Sequence, residues 1–198
     1  MGVAALSLPI AARAGISADI FSGDQRAPAE PLYKVYFDER FYACAAFAEE
    51  MKRRSIPTHA IRGDITDAWF SDLHGRWKEK PVAIAGLTAP GPIFCLEMLA
   101  RDAGMRLVFR ADHRWPTRGR VSDGEIEHEV AGPESVVRRA ATLETSGESW
   151  PERMSELVAQ FSREREEAAA KATFVGIAPN RNDCEHLVTW VLAPARPA

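Results

Sequence analysis

The sequence predicts a three-layer α/β domain built on a mostly parallel sheet, with a C-terminal hairpin and helices added at one edge. Two observations carry this expectation. From Tyr33 to Arg110, short apolar segments alternate with amphipathic helical ones in the order β-α-β-α-β-α-β, with short connections. That is the pattern of a sheet wound with helices on both faces. After Asp112 the alternation stops and hairpin signals and longer helical stretches take over.

Tyr33–Phe37 (YKVYF) is rich in aromatic and β-branched residues and reads as the first strand. Asp38 follows as an N-cap for a helix over Glu39–Arg54, whose apolar face is Phe41, Cys44, Phe47, Ala48 and Met51. Thr58–Arg62 is the second strand. A helix from Asp64 or Thr66 to Lys78 buries Ile65, Ala68, Trp69, Leu73 and Trp77. Val82–Leu87 (VAIAGL) is a continuous apolar run, suited to a strand covered on both faces. Pro90-Gly91-Pro92 stops it, because proline has no amide hydrogen for a ladder. Pro92 suits the first turn of the next helix, whose inner stripe is Ile93, Leu96, Leu99 and Ala100. The start of that helix leaves N–H groups that attract a carboxylate or phosphate. Gly104 ends it, and Arg106–Arg110 is the fourth strand.

Ser122-Asp123-Gly124 reads as a hairpin turn between Arg120–Val121 and Glu125–Val130. In the latter, Ile126, His128 and Val130 alternate with Glu125, Glu127 and Glu129, giving one acidic, solvent-facing side. Glu134–Leu143 reads as a short helix and Ser149–Ala172 as a longer one. Thr173–Ala178 is a strand paired with the last one, His186–Leu192.

The chain has 198 residues, 46% hydrophobic and 27% charged, with a formal net charge of −3. This is the composition of a soluble globular protein. No basic block marks a nucleic-acid partner, and no apolar run is long enough to span a bilayer. Met1–Ala14 is apolar and small-residue-rich, and Ala12-Arg13-Ala14 has the small-x-small pattern of a signal-peptidase site. It resembles the hydrophobic and cleavage regions of an export signal, of the twin-arginine kind in its alanine- and glycine-rich character. Neither a twin-arginine pair nor a basic stretch occurs within it. The organisation expected is therefore an export-signal remnant over 1–14, an arm over 15–31, one domain over 32–193 and a tail over 194–198. The location is periplasmic if the signal reading holds, and otherwise cytoplasmic.

A flavodoxin- or Rossmann-like strand order of 2-1-3-4 brings the loops after strands one and three together at a switch point, where such sheets bind ligands. The ligand-binding candidates there are Asp38, Arg40, Thr88, Gly91 and, from the loop after strand four, Arg114; the arginines suit a small anionic ligand. The catalytic candidates are Cys95, near a helix start that lowers a thiol's pKa, and Asp112 with His113 for acid–base work. Cys44 and Cys95 both follow strands early in helices, so they read as neighbours; Cys184 is the odd third. The five histidines are scattered without metal-ligand spacing, and no GxGxxG, GxxxxGK[ST] or GxSxG occurs, so no metal or cofactor is named.

With no catalytic signature, the expectation is an exported non-catalytic α/β protein. It would bind a small ligand or serve as an accessory subunit of a larger, redox-type enzyme, with Trp69, Trp77, Trp115 or Trp150 as anchors. The alternative is a small hydrolase or thiol-dependent enzyme using the loops after strands one, three and four.

Overall fold

A computed structural model describes residues 31–115, 124–161, 168–178 and 186–195. The export-signal segment, almost all of the arm, Ser122-Asp123, Cys184 and residues 196–198 of the tail lie outside them. In chain order the elements are β1 Lys34–Asp38, α1 Tyr42–Arg53 and β2 Thr58–Ile61. A continuous helical segment follows, made of α2 Thr66–Ala68, a π-turn Trp69–Leu73 and α3 His74–Glu79. Then come β3 Ile84–Thr88, α4 Pro90–Asp102, β4 Met105–Arg114, β5 Glu125–Pro133 and α5 Glu134–Arg139. Two 3-10 segments, Ala140–Thr145 and Gly147–Ser149, lead into α6 Trp150–Phe161, β6 Ala169–Ile177 and β7 His186–Pro194.

The seven strands form one mixed sheet in the order β2-β1-β3-β7-β4-β5-β6. β1 runs parallel to β2 and β3, and every other pairing is antiparallel. The protein is mixed α/β, but its sheet is mostly antiparallel, which corrects the mostly parallel expectation. The difference is β7. It sits between β3 and β4, with Gly86 opposite Trp190 on one side and Arg110 opposite Trp190 on the other. Its run HLVTWVLAP is buried from Leu187 to Pro194, and only a central strand covered on both faces accommodates that many apolar side chains. β7 therefore does not pair with the 169–178 segment, which instead joins β5 at the far edge. The extra strands at an edge are β5 and β6.

Two cores lie on opposite faces of the sheet. On one, Phe47 and Met51 of α1 meet Val136 and Val137 of α5, Met154 and Val158 of α6, and the sheet residues Val35, Leu87, Phe109 and Val191. On the other, Ile65, Leu73 and Trp77 of the broken helix and Ile93 and Leu96 of α4 cover Tyr36, Val188, Trp190 and Leu192. Burying each such side chain stabilises the fold by roughly 1.5–3 kcal/mol. Gly86 makes the second core possible, since a Cβ there would stand 2.4 Å from the Trp190 ring and 2.6 Å from the Tyr36 carbonyl oxygen.

Three local expectations change. Asp38 does not cap α1; Phe41 is the cap residue, with no side-chain bond, and Asp38 ends β1 fully buried. β4 continues four residues past Arg110, so Ala111 to Arg114 are strand rather than loop. Ala169–Ala172 begin β6 and are not helix, because pairing with Val130–Pro133 overrides the helix preference of alanine and lysine. The four tryptophans offered as exposed anchors face inward: Trp77, Trp115 and Trp150 are buried and Trp69 is partly so.

Candidate functional site on the open face of the sheet

The alternation of β4 decides the site. Phe109, Ala111, His113 and Trp115 point toward α6, while Arg110, Asp112 and Arg114 point to the α4 side. α4 covers β3, β7 and the adjoining part of β4. No described helix continues over β5 and β6 on that side, so among the described residues the face from β4 to β6 is uncovered there. Ladder register sets its residues in rows. His186, Arg114, Glu127 and Val175 share one row, and Val188, Asp112, Glu129 and Thr173 share the next.

Asp112 is the hub. It is nearly buried and takes two bonds from Arg110, Nε at 2.7 Å and Nη2 at 2.9 Å. His186 Nε2 donates to its Oδ1 at 2.7 Å, and Arg114 lies 3.4 Å away. Burial alone works against its charge. The bonds from Arg110 and His186, with the charges of Arg110 and Arg114, outweigh that and hold the carboxyl below its usual range. Arg114 also reaches Glu129 at 3.1 Å, and Lys171 pairs with the same carboxylate from β6. Those two bonds keep Glu129 below the ordinary carboxylate range. Glu97 of α4 approaches Arg110 at 3.9 Å. The result is a row of opposite charges across β4, β5 and β6, with His186 of β7 bonded to its Asp112 end, flanked by exposed Val175, Ile177, Phe94 and Met98.

Asp112 and His113, adjacent in sequence, are separated by the sheet. His113 is buried beneath Trp150, with ring centroids 4.4 Å apart. Its Nδ1 stands 2.7 Å from Nδ1 of His128, and its Nε2 is 2.8 Å from Thr189 Oγ1. Two facing Nδ1 atoms need one donor and one acceptor, so the pair is bonded only when at least one ring is neutral. Burial, then the nearby His128, His186 and Arg114 charges, keeps His113 well below its ordinary value. Burial alone brings His128 to about 4. These two rings are core groups, neutral near pH 7. The imidazole that shares the site with Asp112 is His186, a residue sequence reasoning passed over as part of the last strand. Bound through Nε2–H to a carboxylate, a neutral His186 carries its lone pair on Nδ1, the arrangement that orients a general base.

The remaining candidates are placed as follows. The C-terminal ends of β1 and β3 adjoin, with Phe37 opposite Leu87. Arg40 is turned back onto Asp38, Nε at 2.8 Å and Nη2 at 2.6 Å, and lies over Gly63. Its guanidinium fork is thus occupied by the protein's own carboxylate. Thr88 is buried, accepts the Trp190 indole N–H at 3.2 Å and donates to the Ala89 carbonyl at 2.8 Å. Gly91 is exposed in the first turn of α4, where Pro90 and Pro92 remove two N–H donors. Cys95 is exposed on the outer side of α4, and Cys44 is buried under α1 on the opposite face of the sheet, so the two thiols are not neighbours. A groove of about 440 Å³ between α4 and β4, lined in part by Arg101, Arg106 and Leu107, lies at the other end of β4 from Asp112.

Comparison with protein-family models, with curated proteins and with solved structures finds no match. Among the described residues no group of His, Cys, Asp or Glu is arranged to hold a metal ion, and no helix is long and apolar enough to cross a membrane.

Proposed function

We propose that this chain is a non-catalytic binding protein, an accessory subunit that docks on a larger protein through the open face of β4–β6 and the flank of α4. One observation carries the reading. Arg110, Asp112, Arg114, Glu129 and Lys171 on that face are already paired with one another, and exposed apolar side chains border them. A partner can cover those five without breaking up their pairing, as a protein interface requires. Export through Met1–Ala14 belongs to the same proposal and is tested by sequencing the mature N-terminus from a periplasmic fraction. The docking reading is tested by measuring binding to the product of a neighbouring gene with Met98→Glu and Ile177→Glu variants. Loss of binding with unchanged unfolding supports it, and unchanged binding in both removes it.

A second reading is favoured by the Asp112–His186 pair: a small enzyme in which His186 moves a proton and Asp112 fixes the ring. His186→Ala separates the two readings. A binding protein keeps its partner affinity to within a few-fold, while an enzyme loses turnover by about 10²–10⁴.

A further inference from the structure

We infer that β6 pairs with β6 of a second copy of this chain, joining two sheets into one through a two-fold axis at Thr173. Among the described residues β6 is the edge of the sheet, and at nine residues it is more than twice the length of the opposite edge, β2. The direction of its free backbone groups follows from the ladder. Ala178 N–H donates to Gly124 O at 2.6 Å and Glu134 N–H to the Ala168 carbonyl at 3.0 Å, at either end of a uniform register. In an antiparallel pair the bonded positions alternate, so Ala170, Ala172, Phe174 and Gly176 face β5 with their N–H and C=O groups. Those of Lys171, Thr173 and Val175 point away from the sheet. Among the described residues they have no backbone partner. Gly147 approaches the Ile177 carbonyl, so the pairing centres on 171–175.

Thr173 is the midpoint of Ala169–Ile177, and the outward groups are symmetric about it. A second β6 laid antiparallel across it sets Thr173 opposite Thr173 and Lys171 opposite Val175, with each outward N–H meeting a C=O. Side chains support the same register. Val175 is 51% exposed, and the aliphatic stem of the opposing Lys171 covers it. Behind Val175 on β5 stands Glu127, which makes no ion pair among the described residues. In the dimer the incoming Lys171 exchanges its own Glu129 for that second carboxylate as its stem crosses Val175, and symmetry repeats the contact. A long edge with unpaired backbone groups is otherwise an aggregation site, and closed two-fold pairing removes it.

The test is the mass of the full chain by sedimentation equilibrium, with two variants. Thr173→Pro removes an N–H that the β5 ladder does not use, so it is expected to give a monomer with the parent's circular dichroism. Thr173→Cys in a Cys95→Ala background is expected to form a disulfide-linked dimer on mild oxidation, since directly bonded pairs hold Cα atoms about 5.5 Å apart, within disulfide reach. The Cys95→Ala parent, and Thr173→Cys with Cys184→Ala added, separate the designed link from one through Cys184: the parent is expected to lack the Thr173-dependent dimer and the added change to keep it. A full chain that stays monomeric at every concentration overturns the proposal. So does a dimer that survives Thr173→Pro, or one that Thr173→Cys fails to cross-link.

Discussion

Gly86 and the His113–His128 pair show how single atoms constrain this molecule. At Gly86 a methyl group would meet the Trp190 ring on one side and the β1 backbone on the other, with neither able to withdraw. Gly86→Ala is expected to cost about 1–3 kcal/mol by overpacking, read as a lower denaturation midpoint with an unchanged slope. The histidine pair makes stability depend on pH. His128 takes up its proton near 6.5 when unfolded but only at about 4 when folded. The unfolded chain therefore binds more protons between those values, and stability is full above about 6.5 and falls as pH drops toward 4. His128 alone removes roughly 3 kcal/mol across that window, and His113 adds in the same direction. Urea unfolding at stepped pH should show this fall and a shallower one in His128→Leu; a flat profile between pH 6.5 and 4.5 would contradict it. The Nδ1–Nδ1 contact was not legible in the sequence, because it joins β4 to β5 across the sheet. The inward position of His128 was legible from its alternation with Glu127 and Glu129.

Among the elements, β1, α1, β2, β3 and α4 were readable because local rules and tertiary packing agree in them. Ile84–Thr88 is buried throughout, as its composition requires, and Pro92 falls in the first turn of α4, which starts two residues earlier than expected, at Pro90. β4 and β6 were misread where composition and periodicity disagree. Asp112 and Arg114 look like loop residues, yet Ala111, His113 and Trp115 alternate with them at the strand period. In β6, Ala170, Ala172, Phe174 and Gly176 alternate with Lys171, Thr173, Val175 and Ile177 inside a stretch whose alanines suggest helix. The charge row on β4 ties these elements together, and Asp112 is its most buried member. Asp112→Ala removes a shared partner from Arg110, Arg114 and His186 at once. It is expected to lower stability by about 1–3 kcal/mol, discounted for the partial exposure of the arginines, as measured by chemical denaturation.

At the scale of the molecule, the strand made last lies in the middle of the sheet. β7 joins the β1–β3 half, which is wound as the sequence indicated, to the antiparallel β4–β6 half. No local signal specifies such a position. The one hint was that HLVTWVL is as continuously apolar as VAIAGL, and so belongs where both faces are covered. A chain ending before His186 lacks the link between the halves. It is expected to show no cooperative unfolding transition by calorimetry, whereas the full chain unfolds in one. The same insertion places His186 beside Asp112 and leaves the charged side of β4–β6 without a described helix over it, so the surface proposed for partner binding is a product of topology. Photo-crosslinking in the producing cells reads that surface directly. A photoreactive residue placed at Met98 or Ile177 should give one discrete adduct with another protein, while one at the exposed Glu144 on the opposite face should give none. Equal labelling at all three positions, or none at Met98 and Ile177, would contradict the assignment.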